Sequence, residues 1–213
     1  MNFKRILALG LLLAVGLASV GCGNWVGPSM MGQGPWWGLP GGTALSLDQA
    51  VVRMQQYVAG FDNPDLRVAE VMQFDNHFYA AINEESSGRF AFELLMALDG
   101  RRFWPESGPN MMWNTRYGQV RGRMGMVYGG SHGPMPVGSG QARQFAQDYL
   151  NQFMSGFSVS DEADAFYGYY TMHTLRDGKI WGMLSVNGQT GQVWAHTWHG
   201  QFVAMWSASH ADH

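Results

Sequence analysis

The chain carries one order of signals twice, and that order limits the folds open to it. Ser46 and Gln49 make a capping-box pattern, in which each caps the other's backbone N–H at a helix start. Ala50, Val51, Met54, Tyr57 and Val58 then recur at helical spacing until Gly60, and Asp62-Asn63-Pro64-Asp65 supplies turn chemistry. Strands are predicted over 66–74, 77–84 and 89–98, with Glu85-Ser86-Ser87-Gly88 as a hairpin loop. Asp99-Gly100 turns the chain into a short strand over 102–104. A second helix starts at Ser139, with Ala142, Phe145, Ala146, Tyr149, Leu150 and Phe153 on one face, and stops at Gly156. Strands over 166–175, 179–186 and 192–198 follow, divided by Arg176-Asp177-Gly178 and by Asn187-Gly188-Gln189-Thr190-Gly191. Phe78–Ile82 aligns with Gly168–Met172, Gly88 with Gly178 and Trp104 with Trp194, all at an offset of 90 residues. The expected fold is therefore α+β: two helix-plus-antiparallel-sheet units, residues 45–105 and 139–200, each burying one apolar sheet face under its helix. Residues 106–138 are expected as a long Gly/Met-rich loop joining them. Residues 201–213 are expected as a C-terminal tail that packs partly through Phe202, Val203 and Trp206.

The N-terminus reads as an export signal over residues 1–21. Lys4 and Arg5 precede an apolar run from Ile6 to Val15, which is too short to span a bilayer. Leu17-Ala18-Ser19-Val20-Gly21-Cys22 resembles a bacterial lipoprotein signal, which implies acylation of Cys22, the chain's one cysteine. Ordinary signal-peptidase cleavage is the competing reading, because Ser19 and Gly21 are small residues at the −3 and −1 positions. Gly23 stands where Asp would signal inner-membrane retention, so the expected location is the cell envelope, lipid-anchored on the periplasmic side and at the outer membrane. Residues 22–44 read as a flexible tether. With no second cysteine there is no intrachain disulfide, so stability falls to burial. The aromatic content of 14% suits that demand.

The hairpin Val186-Asn187-Gly188-Gln189-Thr190-Gly191-Gln192-Val193 resembles the closing hairpin of the PepSY family, Val-Asp-x-x-Thr-Gly-x-Val, with Asn187 in place of the Asp. The resemblance covers residues 139–199; residues 46–104 follow it less closely, since Leu98-Asp99-Gly100-Arg101-Arg102-Phe103 lacks the Thr-Gly. It implies a non-catalytic envelope domain of the kind that sometimes inhibits or chaperones a peptidase. Peptidase inhibition is accordingly one expectation.

Composition removes several other functions. A net charge of −3 argues against nucleic acid as a partner, because neutralising phosphates needs clustered Lys and Arg. No Gly-x-Ser-x-Gly elbow, Walker loop or assembled acid–base pair is present, so no enzymatic activity is expected. Glu84 with Glu85, and Asp161, Glu162 and Asp164, read as solvated carboxylates. Trp113, Arg116, Tyr117, Arg121 and Arg123 combine aromatic and guanidinium groups in the connecting segment and are the expected contact surface for a protein partner. Met111, Met112, Met124, Met126 and His132 offer soft ligands for Cu(I), the one cofactor the sequence points to. His196 and His199 are three apart; on a continuous strand they point to opposite faces, so they could chelate only if the strand broke at Trp198.

Overall fold

The computed structural model describes residues 43–118 and 134–208. The expected export signal, Cys22 and nearly all of the expected tether lie outside them, as do Arg121, Arg123, Met124, Met126 and His132. Helix α1 (Leu47–Ala59) opens on the expected capping box: Gln49 N donates to Ser46 Oγ and Ser46 N to Gln49 Oε1. It is followed by β1 (Leu66–Phe74), β2 (Phe78–Glu84), β3 (Phe90–Met96) and β4 (Phe103–Pro105). A short helix α2 (Pro109–Met112) leads into the connection. The second unit comprises α3 (Ser139–Phe153), β5 (Phe157–Val159), β6 (Asp164–Ala165), β7 (Tyr169–Arg176), β8 (Lys179–Asn187) and β9 (Val193–Ala195), and β10 (Phe202–Ser207) closes the described chain.

The offset of 90 holds in three dimensions. β3 maps onto β8 and β4 onto β9, while β1, a nine-residue strand, corresponds to a strand broken into β5 and β6. Both sheets are antiparallel, ordered β10-β1-β2-β3-β4 and β5-β7-β8-β9, with β6 also pairing β7. The α+β class is as expected. Each unit has its helix-covered face: Ala50, Met54 and Val58 pack on Val71, Phe78, Ala80 and Ile82, and Ala142, Ala146 and Leu150 pack on Met172, Leu184 and Val186.

Two expectations fail. The sheets do not have one buried face each; their remaining faces pack together through Met72, Phe74, Tyr79, Leu95, Phe166, Tyr169 and Met183, giving four layers. Apolar residues on both sides of β2 and β3 drive this, because leaving Tyr79, Ala81 and Leu95 in water would forfeit the burial of a whole sheet face. The segment over 201–213 is not a tail throughout: β10 pairs with β1 from Glu70↔Ser207 to Phe74↔Phe202, completing the first unit's sheet. The β1–β2 turn holds its entry, with Asp75 N donating to Gln201 O and Gln201 N to Asp75 Oδ1.

Candidate functional site

Between the two sheets lies a polar chain that an apolar interior must satisfy fully. The fully buried Glu93 accepts from Tyr79 OH at 2.9 Å and Thr171 Oγ1 at 3.0 Å on one oxygen, and from Tyr169 OH at 2.7 Å on the other. Thr171 Oγ1 is 2.9 Å from Ser185 Oγ, which is 2.9 Å from His196 Nε2. Burial pushes the Glu93 carboxyl well above its ordinary range, and the neighbouring Glu106 charge adds to this. Burial and the Glu93 charge likewise raise the Tyr79 and Tyr169 hydroxyls.

This chain of hydroxyls ends at a cluster of Glu106, His196 and His199. Glu106 follows β4 directly, its backbone N donating to Glu93 O at 3.0 Å. Asn110 of α2 grips the same strand: its Nδ2 donates to Glu93 O and its Oδ1 accepts from Glu93 N, both at 3.1 Å. His196 follows β9 and occupies the position equivalent to Glu106 at the 90-residue offset. β9 ends at Ala195 and Thr197-Trp198 form a turn, so the strand does break where chelation by His196 and His199 requires. Asn76 secures that turn by donating from Nδ2 to Trp198 O and accepting from Gly200 N.

Glu106 Oε1 is 3.0 Å from His196 Nδ1 and 2.9 Å from His199 Nε2, with all three side chains at or within 1% of complete burial. The same oxygen accepts from Trp198 Nε1 at 3.1 Å. His199 Nδ1 is 2.7 Å from His77 Nε2, and the His199 ring stacks on Phe74. Burial lowers His77 to about 3, with His199 contributing, and burial also lowers His199. Burial alone would raise Glu106, but the two histidines outweigh it and hold the carboxyl well below the usual range.

A second feature is open to solvent. Ser160, Asp161 and Glu162, which lie where the edge strand is interrupted between β5 and β6, border a cleft of about 670 Å³. Glu70, Glu85, Asp161, Glu162, Asp164 and His173 line it, along with Arg67 and Phe90. Glu70 Oε1 is 3.3 Å from His173 Nε2. Burial, then Glu70, raises Asp164 to about 7; Glu70 raises His173 against the opposing effect of burial. Asp164 is therefore not the solvated carboxylate expected from its neighbours in sequence.

Of the expected protein-contact residues, Trp113, Arg116 and Tyr117 lie within the described part of the chain. Trp113 packs into the layer between the sheets, edge-on to Trp194 at 5.7 Å. Tyr117 OH donates to Glu84 Oε1 at 2.6 Å, and the Arg116 guanidinium lies over the Tyr117 and Tyr167 rings. Arg116 is exposed, while Trp113 and Tyr117 fasten the start of the connection to both units. Glu84 is also not the solvated carboxylate expected: it is buried and accepts from Tyr117, Tyr167 and Ser87. Of the soft ligands, Met111 is half-buried and Met112 is 61% exposed. No sequence signal marks Glu106, since a carboxylate after Pro105 carries no pattern; the His-x-x-His spacing was the one usable clue.

No protein-family model matches the chain, and no curated protein matches it. The chain is similar to a solved structure, the Bacillus megaterium YpeB C-terminal domain, at 16% identity and a TM-score of 0.35. The match covers 72% of this chain and 66% of that one, just under two thirds of its length, and it assigns neither family nor activity.

Proposed function

We propose that the chain is a non-catalytic, PepSY-like binding module of the cell envelope that takes a cationic segment of a partner protein in the cleft beside the broken edge strand. The carrying observation is the cleft's charge. Five carboxylates line the cleft with one Arg and one His; Arg67 is already paired with Glu85 at 2.6 Å and Arg143, outside the lining, with Asp161 at 2.7 Å, so acids still outnumber cations. A Lys or Arg between Glu70 and Asp164 would gain two carboxylates without displacing an existing partner of Asp164, while Phe90 and Val68 supply an apolar wall. A hydrolytic reading has less support. Ser160 Oγ donates to Glu162 O and accepts from His173 N, and Thr171 Oγ1 belongs to the interior chain, so neither hydroxyl stands ready as a nucleophile. Acylation at Cys22 would hold the module at the membrane surface. Among the described residues, no helix is long and apolar enough to cross a membrane.

The test is fluorescence anisotropy with labelled peptides of equal length, one Lys/Arg-rich and one Asp/Glu-rich. The basic peptide should bind, weaken with salt and lose affinity in the Glu70→Gln/Glu162→Gln variant. Equal affinity for both peptides, or a variant indistinguishable from wild type, refutes the proposal. Mass spectrometry of the mature N-terminus reads out acylation at Cys22.

A further inference from the structure

We propose that Glu106, His196 and His199 form a buried binding site for one divalent transition-metal ion, with zinc the best-suited. Three observations lead there. First, the ligand atoms converge: one oxygen and two ring nitrogens lie within 4.8 Å of one another. In a tetrahedral zinc site with bonds of 2.0–2.1 Å, neighbouring donor atoms sit about 3.3 Å apart. The two Glu106–imidazole separations, 3.0 and 2.9 Å, need to open by only a few tenths of an ångström.

Second, the contacts fall short as hydrogen bonds. His196 Nδ1 and His199 Nε2 are close to Glu106 Oε1, yet neither makes a hydrogen bond, and Glu106 Oε2 has no hydrogen-bond partner at all. A buried carboxylate stripped of water is costly unless its lone pairs are used. No Lys or Arg among the described residues forms an ion pair with it. An ion between the three side chains would take the lone pairs of both nitrogens and Oε1, and Oε2 would supply a fourth donor.

Third, the outer contacts are those a metal site needs. A ligating imidazole uses its other nitrogen to donate to a fixed partner, which sets its tautomer. His196 has Ser185 Oγ at Nε2, and His199 has His77 Nε2 at Nδ1. A metal on His196 Nδ1 leaves Nε2–H to donate to Ser185. Ser185 then donates to Thr171, and Thr171 to Glu93 Oε1, so every hydroxyl in the chain points one way toward a carboxylate. Trp198 Nε1 holds Glu106 Oε1 from the side, and its ring stacks on His196 at 4.7 Å.

The donor set decides the ion. Two imidazoles and a carboxylate, without sulfur, suit borderline divalent ions rather than Cu(I). A dry, closed site suits an ion with no demand for open positions or a fixed geometry, which describes zinc in a structural role. The site joins the ends of the two units: Glu106 leaves the first, and His196 and His199 leave the second.

The experiment uses the full chain, stripped with a chelator and then titrated with Co²⁺ alone and with Zn²⁺ alone. One equivalent of Co²⁺ should bind, with the visible absorption of four-coordinate cobalt, and Zn²⁺ should displace it and raise the melting temperature. X-ray absorption at the zinc edge should show nitrogen and oxygen neighbours at about 2.0–2.2 Å and no sulfur at about 2.3 Å. Glu106→Gln and His199→Gln should lose the cobalt band while keeping a folded far-UV spectrum. Ser185→Ala should weaken Zn²⁺ binding by about 10–100-fold through its hold on His196. The wild-type measurements stand even if a ligand variant fails to fold. The proposal is overturned if stripped, folded wild type binds neither ion, if sulfur scatters in the first shell, or if a folded His199→Gln binds as wild type does.

Discussion

Replacing Glu84 by Gln tests how the two units and their connection are tied. Glu84 ends β2 in the first unit, Tyr117 belongs to the connection, and Tyr167 lies at the start of the second unit's sheet. Both hydroxyls donate to Glu84 at 2.6 Å, and Ser87 Oγ donates at 2.7 Å. Hydrogen bonds to a charged group are worth roughly 1.5–3 kcal/mol each. Gln keeps one acceptor oxygen and offers an NH₂ that one Tyr oxygen can accept, so the loss is the charge-assisted part of the set, about 2 kcal/mol. Arg116 adds little, because its side chain is 56% exposed and water screens the pair. For a domain of this size, about 2 kcal/mol corresponds to a fall in Tm of roughly 4–8 °C.

The pH dependence separates this account from generic damage to packing. Burial pushes the Glu84 carboxyl up, but the three hydroxyl bonds and Arg116 outweigh it and hold its folded value below the ordinary 4.5. Its stabilisation is therefore complete above the unfolded value and is lost as pH falls through the folded one. Urea unfolding of wild type and Glu84→Gln at pH 7 and again below pH 3 should show a gap that closes in acid, since the other titrating groups are common to both proteins. A gap of the same size at both pH values, or one below about 0.5 kcal/mol at pH 7, would mean that the carboxylate is not the tie.

Three other outcomes are expected. Leu150→Ala, at a fully buried position under α3, should cost about 2–5 kcal/mol, while Phe153→Ala on the same helix should change unfolding by less than about 0.5 kcal/mol, because Phe153 is 63% exposed. Gly168→Ala should lower Tm in a thermal scan: Gly168 has φ +102°, and a Cβ there would fall on Trp113 O. Carbon-detected NMR should find Asp164 titrating near 7. Because its folded value is raised, ionisation of the unfolded chain erodes stability as pH climbs from 3.8 to about 7, so Asp164→Asn should melt above wild type at pH 8 and level with it at pH 3.5.

What the sequence disclosed is what local chemistry determines. The Ser46/Gln49 cap, the Asp-Gly and Thr-Gly turns and the helix stripes are read over a few residues, and the helices and most strands lie where those signals put them. Distance in sequence hid the rest. Phe202 to Ser207 alternates too weakly to announce a strand, and its partner β1 is more than 120 residues away. Trp113 and Tyr117 look like exposed anchors because they sit among glycines; the neighbours that half-bury them, the layer between the sheets for Trp113 and Phe92 with Glu84 for Tyr117, come from elements distant in sequence.

The duplicated plan itself explains why chemistry gathers where it does. Two copies of a helix-covered sheet would each leave one sheet face bare, and packing those faces together brings equivalent positions near one another. Glu106 and His196 are such a pair, each the first residue beyond the last strand of its unit. A duplication would have begun with the same residue in both places, and two buried carboxylates or two buried imidazoles would repel when charged. An acid in one unit and a base in the other avoids that repulsion, and His199 supplies a third donor. On this argument a Glu106→His change in metal-stripped protein should be far more damaging than its volume implies, because it places another imidazole against His196 and His199 and removes the carboxylate they share. A metal-stripped variant carrying Glu106→His that unfolds at the temperature of stripped wild type at both pH 5 and pH 8 would show that complementarity at the joint is not what holds it together.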